Sequence, residues 1–175
     1  MRGVPRAGLV GGVAAVIIVV DQLSKHWALR RLGDFSTIEV VGSLQLRLTW
    51  NTGTAFSLGD DLNLGPIIAV LALLVVGWLL WSGHSARRPG AVAAGLVAGG
   101  AVGNLIDRAL RSGPNGQPVG FMGGAVVDFV DLQWWPVFNV ADAGIVVGAF
   151  LLVVVSMFEP RTDAPGDDPP AGDDG

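Results

Sequence analysis

The stretch PVFNVADAGIVVGAFLLVVVSMF, residues 136–158, is apolar almost throughout and carries a single charged side chain, Asp142. A helix needs about 20 mostly apolar residues to cross the hydrocarbon core of a bilayer. The stretch is therefore read as a transmembrane helix, with Trp134 and Trp135 just before it at the depth where aromatic side chains favour the membrane interface. Working outward, three further segments approach the same length, at about residues 7–29, 64–81 and 91–110. The first follows Arg2 and Arg6 and contains Asp21 and Lys25. A cleaved signal peptide is disfavoured there, because Leu23, Trp27, Ala28 and Leu29 continue the apolar pattern and no small-residue cleavage site follows Val20. The third carries Gly95, Gly99 and Gly103 four apart on one face, a spacing that suits close helix contact in lipid.

Composition agrees with membrane residence. The chain has 175 residues, 51% of them hydrophobic and only 15% charged, against the roughly 25% charge of an average soluble domain. Six of its fifteen acids, Glu159, Asp163, Asp167, Asp168, Asp173 and Asp174, lie in the last seventeen residues, which are rich in Pro, Gly and Asp. Residues 161–175 are read as a disordered acidic tail, and 1–160 as one four-helix transmembrane domain. Cysteine is absent, which removes thiolate nucleophiles and thiolate-held metals, and two histidines are too few for a typical protein zinc site. No metal or other cofactor is expected, and no nucleic-acid partner.

Between the first two spans, Leu44, Leu46, Leu48 and Trp50 alternate with Gln45, Arg47 and Thr49, the period of a half-buried strand. The fold class is accordingly integral membrane and mainly α: four transmembrane helices with a small β-sheet platform between the first and second. The stretch around Asp128 reads as loop-like, and residues 112–124, rich in glycine and proline, as a mobile loop.

Helices that cross alternately bring the end of spans one and three to the same side as the start of spans two and four. The unusual polar residues fall at those ends: Asp21 and Lys25; Asn51; Asn104, Asp107 and Arg108; Asp128, Asn139 and Asp142. Spacings of three and four place each helical group on one face. Ionisable groups in spans are costly and usually mark function, although Asp21 with Lys25, and Asp107 with Arg108, are equally readable as neutralised structural pairs. A Ser/His mechanism fits poorly, since His84 belongs to the other side and His26 has no evident orienting partner. A Ser/Lys pair would have to use Lys25, the sole lysine. Two carboxylates sharing a proton supply both a base for water and an acid for the leaving group. Asp128 and Asp142 are the candidate pair, with Asp131, which would share a side with Asp128 on a helical turn, as the nearest rival.

The segments Asp21-Gln22-Leu23-Ser24-Lys25, Asn51-Thr52-Gly53-Thr54-Ala55-Phe56, Gly103-Asn104-Leu105-Ile106-Asp107-Arg108, Val126-Val127-Asp128-Phe129 and Phe138-Asn139-Val140-Ala141-Asp142 together resemble the lipoprotein signal peptidases, or signal peptidase II. The resemblance implies an aspartic endopeptidase of the bacterial inner membrane. It would remove signal peptides from diacylglyceryl-modified prolipoproteins at the outer face, cutting before the lipidated cysteine, and would be inhibited by globomycin. It implies Asp128 and Asp142 as the dyad, Asn51, Gly53, Asn104, Arg108 and Asn139 as residues that line or orient the site, and Asp21, Lys25 and Asp107 as support. It also implies cytoplasmic termini. Charge alone is indecisive there: five basic residues on one side face six on the other, or four once Lys25 and Arg108 are set aside. The alternatives are a small proton-coupled transporter or channel, which would need polar groups through the full membrane thickness, and a non-catalytic assembly protein.

Overall fold

The computed structural model describes residues 6–33, 36–52, 71, 74, 77–78, 87–113, 116–117 and 119–158. In chain order these form α1 (Ala7–Arg31), β1 (Ile38–Val41), β2 (Leu44–Asn51), α2 (Arg88–Leu110), β3 (Val126–Asp131) and α3 (Val140–Met157). The three helices are long and apolar enough to cross a membrane. The span expected over residues 64–81 lies outside the described residues except for Leu71, Leu74, Gly77 and Trp78, which are helical. Gly53 and the tail 161–175 also lie outside them.

α2 is the central helix, packed against both α1 and α3, which touch each other far less. Its small residues make this possible. A Cβ on Gly95 would stand 2.9 Å from the Val10 carbonyl oxygen and one on Gly99 2.8 Å from that of Ala14, so α1 lies directly on this glycine face. Val16, Val19, Val20 and Leu23 of α1, and Val146, Val147, Phe150 and Val153 of α3, are left exposed. For membrane-crossing helices, such surfaces face lipid. Packing fixes the vertical order: Val10, Ala91, Ala94 and Val97 meet Leu152 at one end of the bundle. Ala28, Leu32, Val127 and Phe129 meet Leu46, Trp50 and Val140 at the other.

The sheet sits at that second end and differs from the expectation. It has three antiparallel strands in the order β1-β2-β3, so one strand comes from beyond α2 and not from between the first two spans. That strand contains Asp128, in the stretch read as a loop. β3 is buried along nearly its whole length, and a strand covered on both faces shows no alternation to read.

β3 is also bulged. Leu46 opposes Val130 and Thr49 opposes Asp128, so Arg47 and Leu48 together span the single residue Phe129. Both Phe129 and Val130 donate their backbone N–H to the Phe138 carbonyl, at 3.1 and 2.9 Å. Opposed residues share a sheet face, and Gln45, Arg47, Thr49 and Asn51 alternate onto one face of β2. Asp128, opposite Thr49, and Asp131, opposite Gln45, therefore stand on the same face. The bulge achieves this, and no helical turn is involved.

Helix limits shift for local reasons. α3 begins at Val140 and not at 136, because Asn139 is its N-cap. α2 begins at Arg88, with Pro89 in the first turn, where its missing N–H costs nothing.

Candidate active site

Asn139 and Asp142 form a capping box. The Asn139 side-chain oxygen accepts from the Asp142 N–H at 3.0 Å, and Asp142 Oδ2 accepts from the Asn139 N–H at 3.1 Å. This ties up two backbone donors that would otherwise be orphaned at the start of the helix. Asp142 thus stands in the first turn, where the helix dipole favours negative charge. Its other oxygen, Oδ1, accepts from Asn104 Nδ2 at 2.8 Å.

Asp128 reaches the same cluster from β3 and is almost fully buried. Asn139 Nδ2 donates to its Oδ1 at 2.7 Å, and Asn51 Nδ2, from the paired strand, to its Oδ2 at 3.1 Å. Burial, followed by repulsion from Asp142, pushes its pKa up to about 6 against the lowering effect of the two amides. The two carboxylates are therefore joined through Asn139, whose side chain serves one and whose capping box holds the other.

Beneath them lies a buried charge cluster. Lys25 Nζ contacts Asp21 Oδ2 at 2.8 Å, Asp107 Oδ2 at 3.0 Å and Asn104 Oδ1 at 3.0 Å, and Lys25, Asp21 and Asp107 are all fully buried. An ammonium has only donors, so Lys25 turns the Asn104 oxygen toward itself and the Asn104 amide nitrogen toward Asp142. Asp21 Oδ1 accepts from the Ala141 N–H at 3.0 Å, tying α1 to the start of α3. Asp107 Oδ2 accepts from the Val127 N–H at 3.2 Å, tying α2 to β3.

The pairing of Asp107 with Arg108 that the sequence suggested is not what the structure has. Asp107 pairs with Lys25 and with Arg111, whose Nε lies 2.7 Å from Asp107 Oδ1. Successive helical residues point about 100° apart, whereas i,i+4 residues share a face. Arg108 is buried, and its Nη1 has no hydrogen-bond partner, while its charge acts on Asp128, Asp107 and Asp142.

Three sets of contacts escaped the sequence reading. Gln22 donates to Asp21 Oδ2, the Gly103 carbonyl and Asp107 Oδ1 at 3.1, 3.1 and 3.2 Å; a polar residue between two site residues of a membrane helix was the available signal. Arg111 was signalled by its i,i+4 relation to Asp107. Asp131 with Arg47 had no local signal, because the two are joined only across the sheet.

A cavity of about 380 Å³ opens beside Asp142, lined by Leu132, Trp134, Trp135, Phe138, Val146 and Val147. Among the described residues, no group of three or more His, Cys, Asp or Glu side chains is arranged to hold a metal ion. The arrangement offers two carboxylates of differing environment, a set of fixed amide donors, a buried cation with a spare donor, and an apolar recess.

A family model described as signal peptidase (SPase) II matches residues 13–158. The chain is 41% identical over 147 residues to a lipoprotein signal peptidase of Rhodococcus jostii, covering 83% of this chain and 70% of that protein. Lipoprotein signal peptidases of Mycolicibacterium smegmatis and Mycobacterium avium are 39% and 38% identical, each over 87% of this chain and over 63% and 81% of their own lengths. In fold, the chain resembles a bacterial membrane enzyme solved in meso at 1.9 Å, with a TM-score of 0.72 at 21% identity over 91% of this chain and 99% of that one. The transporter alternative finds no support in these relatives. The chain belongs to the signal peptidase II family, the lipoprotein signal peptidases, membrane proteases that remove signal peptides from prolipoproteins.

Proposed function

We propose that this protein is an aspartic endopeptidase in which Asp128 and Asp142 activate one water molecule between them. The observation that carries this reading is the Asn139 bridge, which holds two acids from different elements in one buried polar site. The ionised carboxylate takes a proton from water as its oxygen attacks the scissile carbonyl carbon. The protonated partner gives its proton to the carbonyl oxygen. Collapse of the tetrahedral intermediate then breaks the C–N bond, and the leaving nitrogen takes the proton first removed from water. Asp128, with its pKa pushed up to about 6, is the natural holder of the shared proton.

Around this pair, Asn104, Asn139 and Asn51 orient the carboxylates, and Gly53 lines the site. Arg108 offers its spare donor to a substrate carbonyl. Asp21, Lys25 and Asp107 support the site from below. The substrate is a prolipoprotein modified with diacylglycerol on the cysteine that follows the cut. Its acyl chains remain in membrane lipid while the scissile bond meets water at the interface, and the apolar recess beside Asp142 receives an apolar part of it. A globomycin-type cyclic peptide would occupy the same site. The cluster faces outward from the inner membrane with both termini cytoplasmic, so reporter fusions at Ser85 and Gly116 should report inside and outside respectively.

The decisive test is single-turnover cleavage of a lipidated peptide by folded, detergent-solubilised Asp128→Asn and Asp142→Asn variants. Each should lose several orders of magnitude in rate. Near-normal turnover in either would refute the pair.

A further inference from the structure

Asp131 is buried three residues from Asp128, and the chemistry proposed above makes no use of it. Its carboxylate is nonetheless heavily engaged. Oδ2 accepts from Gln45 Nε2 at 2.8 Å and from Arg47 Nε, and Oδ1 accepts from the Gln133 N–H at 2.7 Å. These donors, Arg47 foremost, hold its pKa down to about 2, so the carboxylate is ionised throughout any working pH range.

The two oxygens fasten different things. Through Oδ2, Asp131 grips β2 beside the bulge, and Arg47, its charged partner, is one of the two bulge residues. The bulge fixes the offset between the two strands, and a slip of one residue would turn Asp128 away from Asn51 and Asn139. Through Oδ1, Asp131 holds Gln133 at φ +67, a left-handed conformation that non-glycine residues adopt sparingly. That bend starts the reversal that brings Phe138 back against Val130 and delivers Asn139, the cap shared with Asp142.

We propose that Asp131 and Arg47 are positioning residues that set the separation of Asp128 and Asp142, one carboxylate pinning both the strand that carries the first acid and the connection that leads to the second. The proposal rests on the reading of Asp128 and Asp142 as the catalytic pair.

The test is pH-dependent cleavage of a lipidated peptide by full-length Arg47→Ala, Arg47→Lys and Asp131→Ala, with Asp128→Asn and Asp142→Asn alongside. The Arg47 side chain is 44% exposed, so its removal leaves the core intact and keeps the test independent of any folding defect in Asp131→Ala. Arg47→Ala should lower kcat by about ten- to a hundredfold through misplacement of the reacting groups, with KM little changed. The two apparent pKa values of its rate profile should move closer together, because carboxylates held less tightly repel each other less. Arg47→Lys, which keeps a cation within reach of Asp131, should recover most of the rate. An unchanged rate, or a lowered rate with unchanged pKa spacing, in folded Arg47→Ala while both Asn controls are inactive overturns the positioning role alone. An active Asn control overturns the pair itself.

Discussion

Asn139 donates its side-chain amide to Asp128 at 2.7 Å, the shortest link between the strand and helix halves of the candidate site. The same side chain caps α3 through its oxygen. The two duties separate by substitution. Asn139→Ser retains an oxygen able to cap but loses the amide donor, whereas Asn139→Ala loses both. Thermal unfolding in detergent should therefore place Ala about 1 kcal/mol below Ser, the usual worth of an N-cap. Single-turnover rates of the two should fall alike, since both strip Asp128 of that donor. A Ser variant with wild-type turnover would mean that the amide contact does not matter to the chemistry.

The raised pKa of Asp128 predicts a pH dependence of definite sign. The acid titrates at about 6 in the folded protein against 3.8 for the unperturbed group. Between these values the folded state holds a proton that the unfolded state has released. This group's contribution to stability is therefore full at low pH and declines as pH rises through about 6. Activity should follow the same ionisation on its alkaline side, because the pair loses its shared proton there. Asp142→Asn removes a like charge and should lower the Asp128 pKa, though not to 3.8, since burial is the larger cause. The carboxyl signal of Asp128, followed by isotope-edited infrared spectroscopy across pH, measures this directly; an unmoved pKa in Asp142→Asn would separate the two acids.

What the sequence made legible was what helices and membranes write plainly. Asp21 with Lys25, Asn104, and Asn139 with Asp142 stood out because charged and amide side chains are rare in spans, and because spacings of three and four select a face. β3 was hidden for physical reasons. It is short, buried on both faces, and paired with a strand from the far side of α2. With β3 hidden, alternate crossing of the helices could bring Asp128 and Asn51 to one side of the membrane, but no spacing paired them across a sheet. The error over Asp107 and Arg108 had a different origin: adjacency in sequence was taken for adjacency in space, although Arg111, one turn on, was the better geometric partner.

Gly124 governs how β3 meets α2. Its N–H donates to the Arg108 carbonyl at 3.0 Å, and a Cβ there would stand 2.7 Å from the Asp107 carbonyl oxygen and 2.8 Å from that of Arg108. These are backbone atoms at the end of a helix and cannot swing aside. Gly124→Ala must lift the start of β3 and stretch the Val127–Asp107 bond, at a cost of about 1–3 kcal/mol typical of overpacking. Gly8→Ala, with nothing within 4 Å, is the matched control. Unfolding midpoints of the two variants in one detergent should differ clearly, with Gly124→Ala the lower, and equal midpoints would contradict the close contact.

Lys25 separates the stability of the site from its chemistry. Two cations, the buried Lys25 and the partly exposed Arg111, are set against two buried anions, Asp21 and Asp107. Removing one member of such a buried set leaves an uncompensated charge, which costs roughly 3–5 kcal/mol. Lys25→Met should therefore fold poorly. Lys25→Met combined with Asp21→Asn removes one charge of each sign, leaves Asp107 with Arg111, and retains a carbonyl oxygen able to accept from the Ala141 N–H. Much of the lost stability should return. Turnover should not, because without the ammonium only the Asn139 amide, at 3.2 Å, still holds the Asn104 oxygen away from Asp142, and a flipped amide would present an oxygen to the carboxylate in place of a donor. The double variant is to be compared with wild type by thermal unfolding and by single-turnover cleavage on the same preparation. Recovery of both together would show that Lys25 acts only in folding, and recovery of stability alone supports its control of the Asn104 amide.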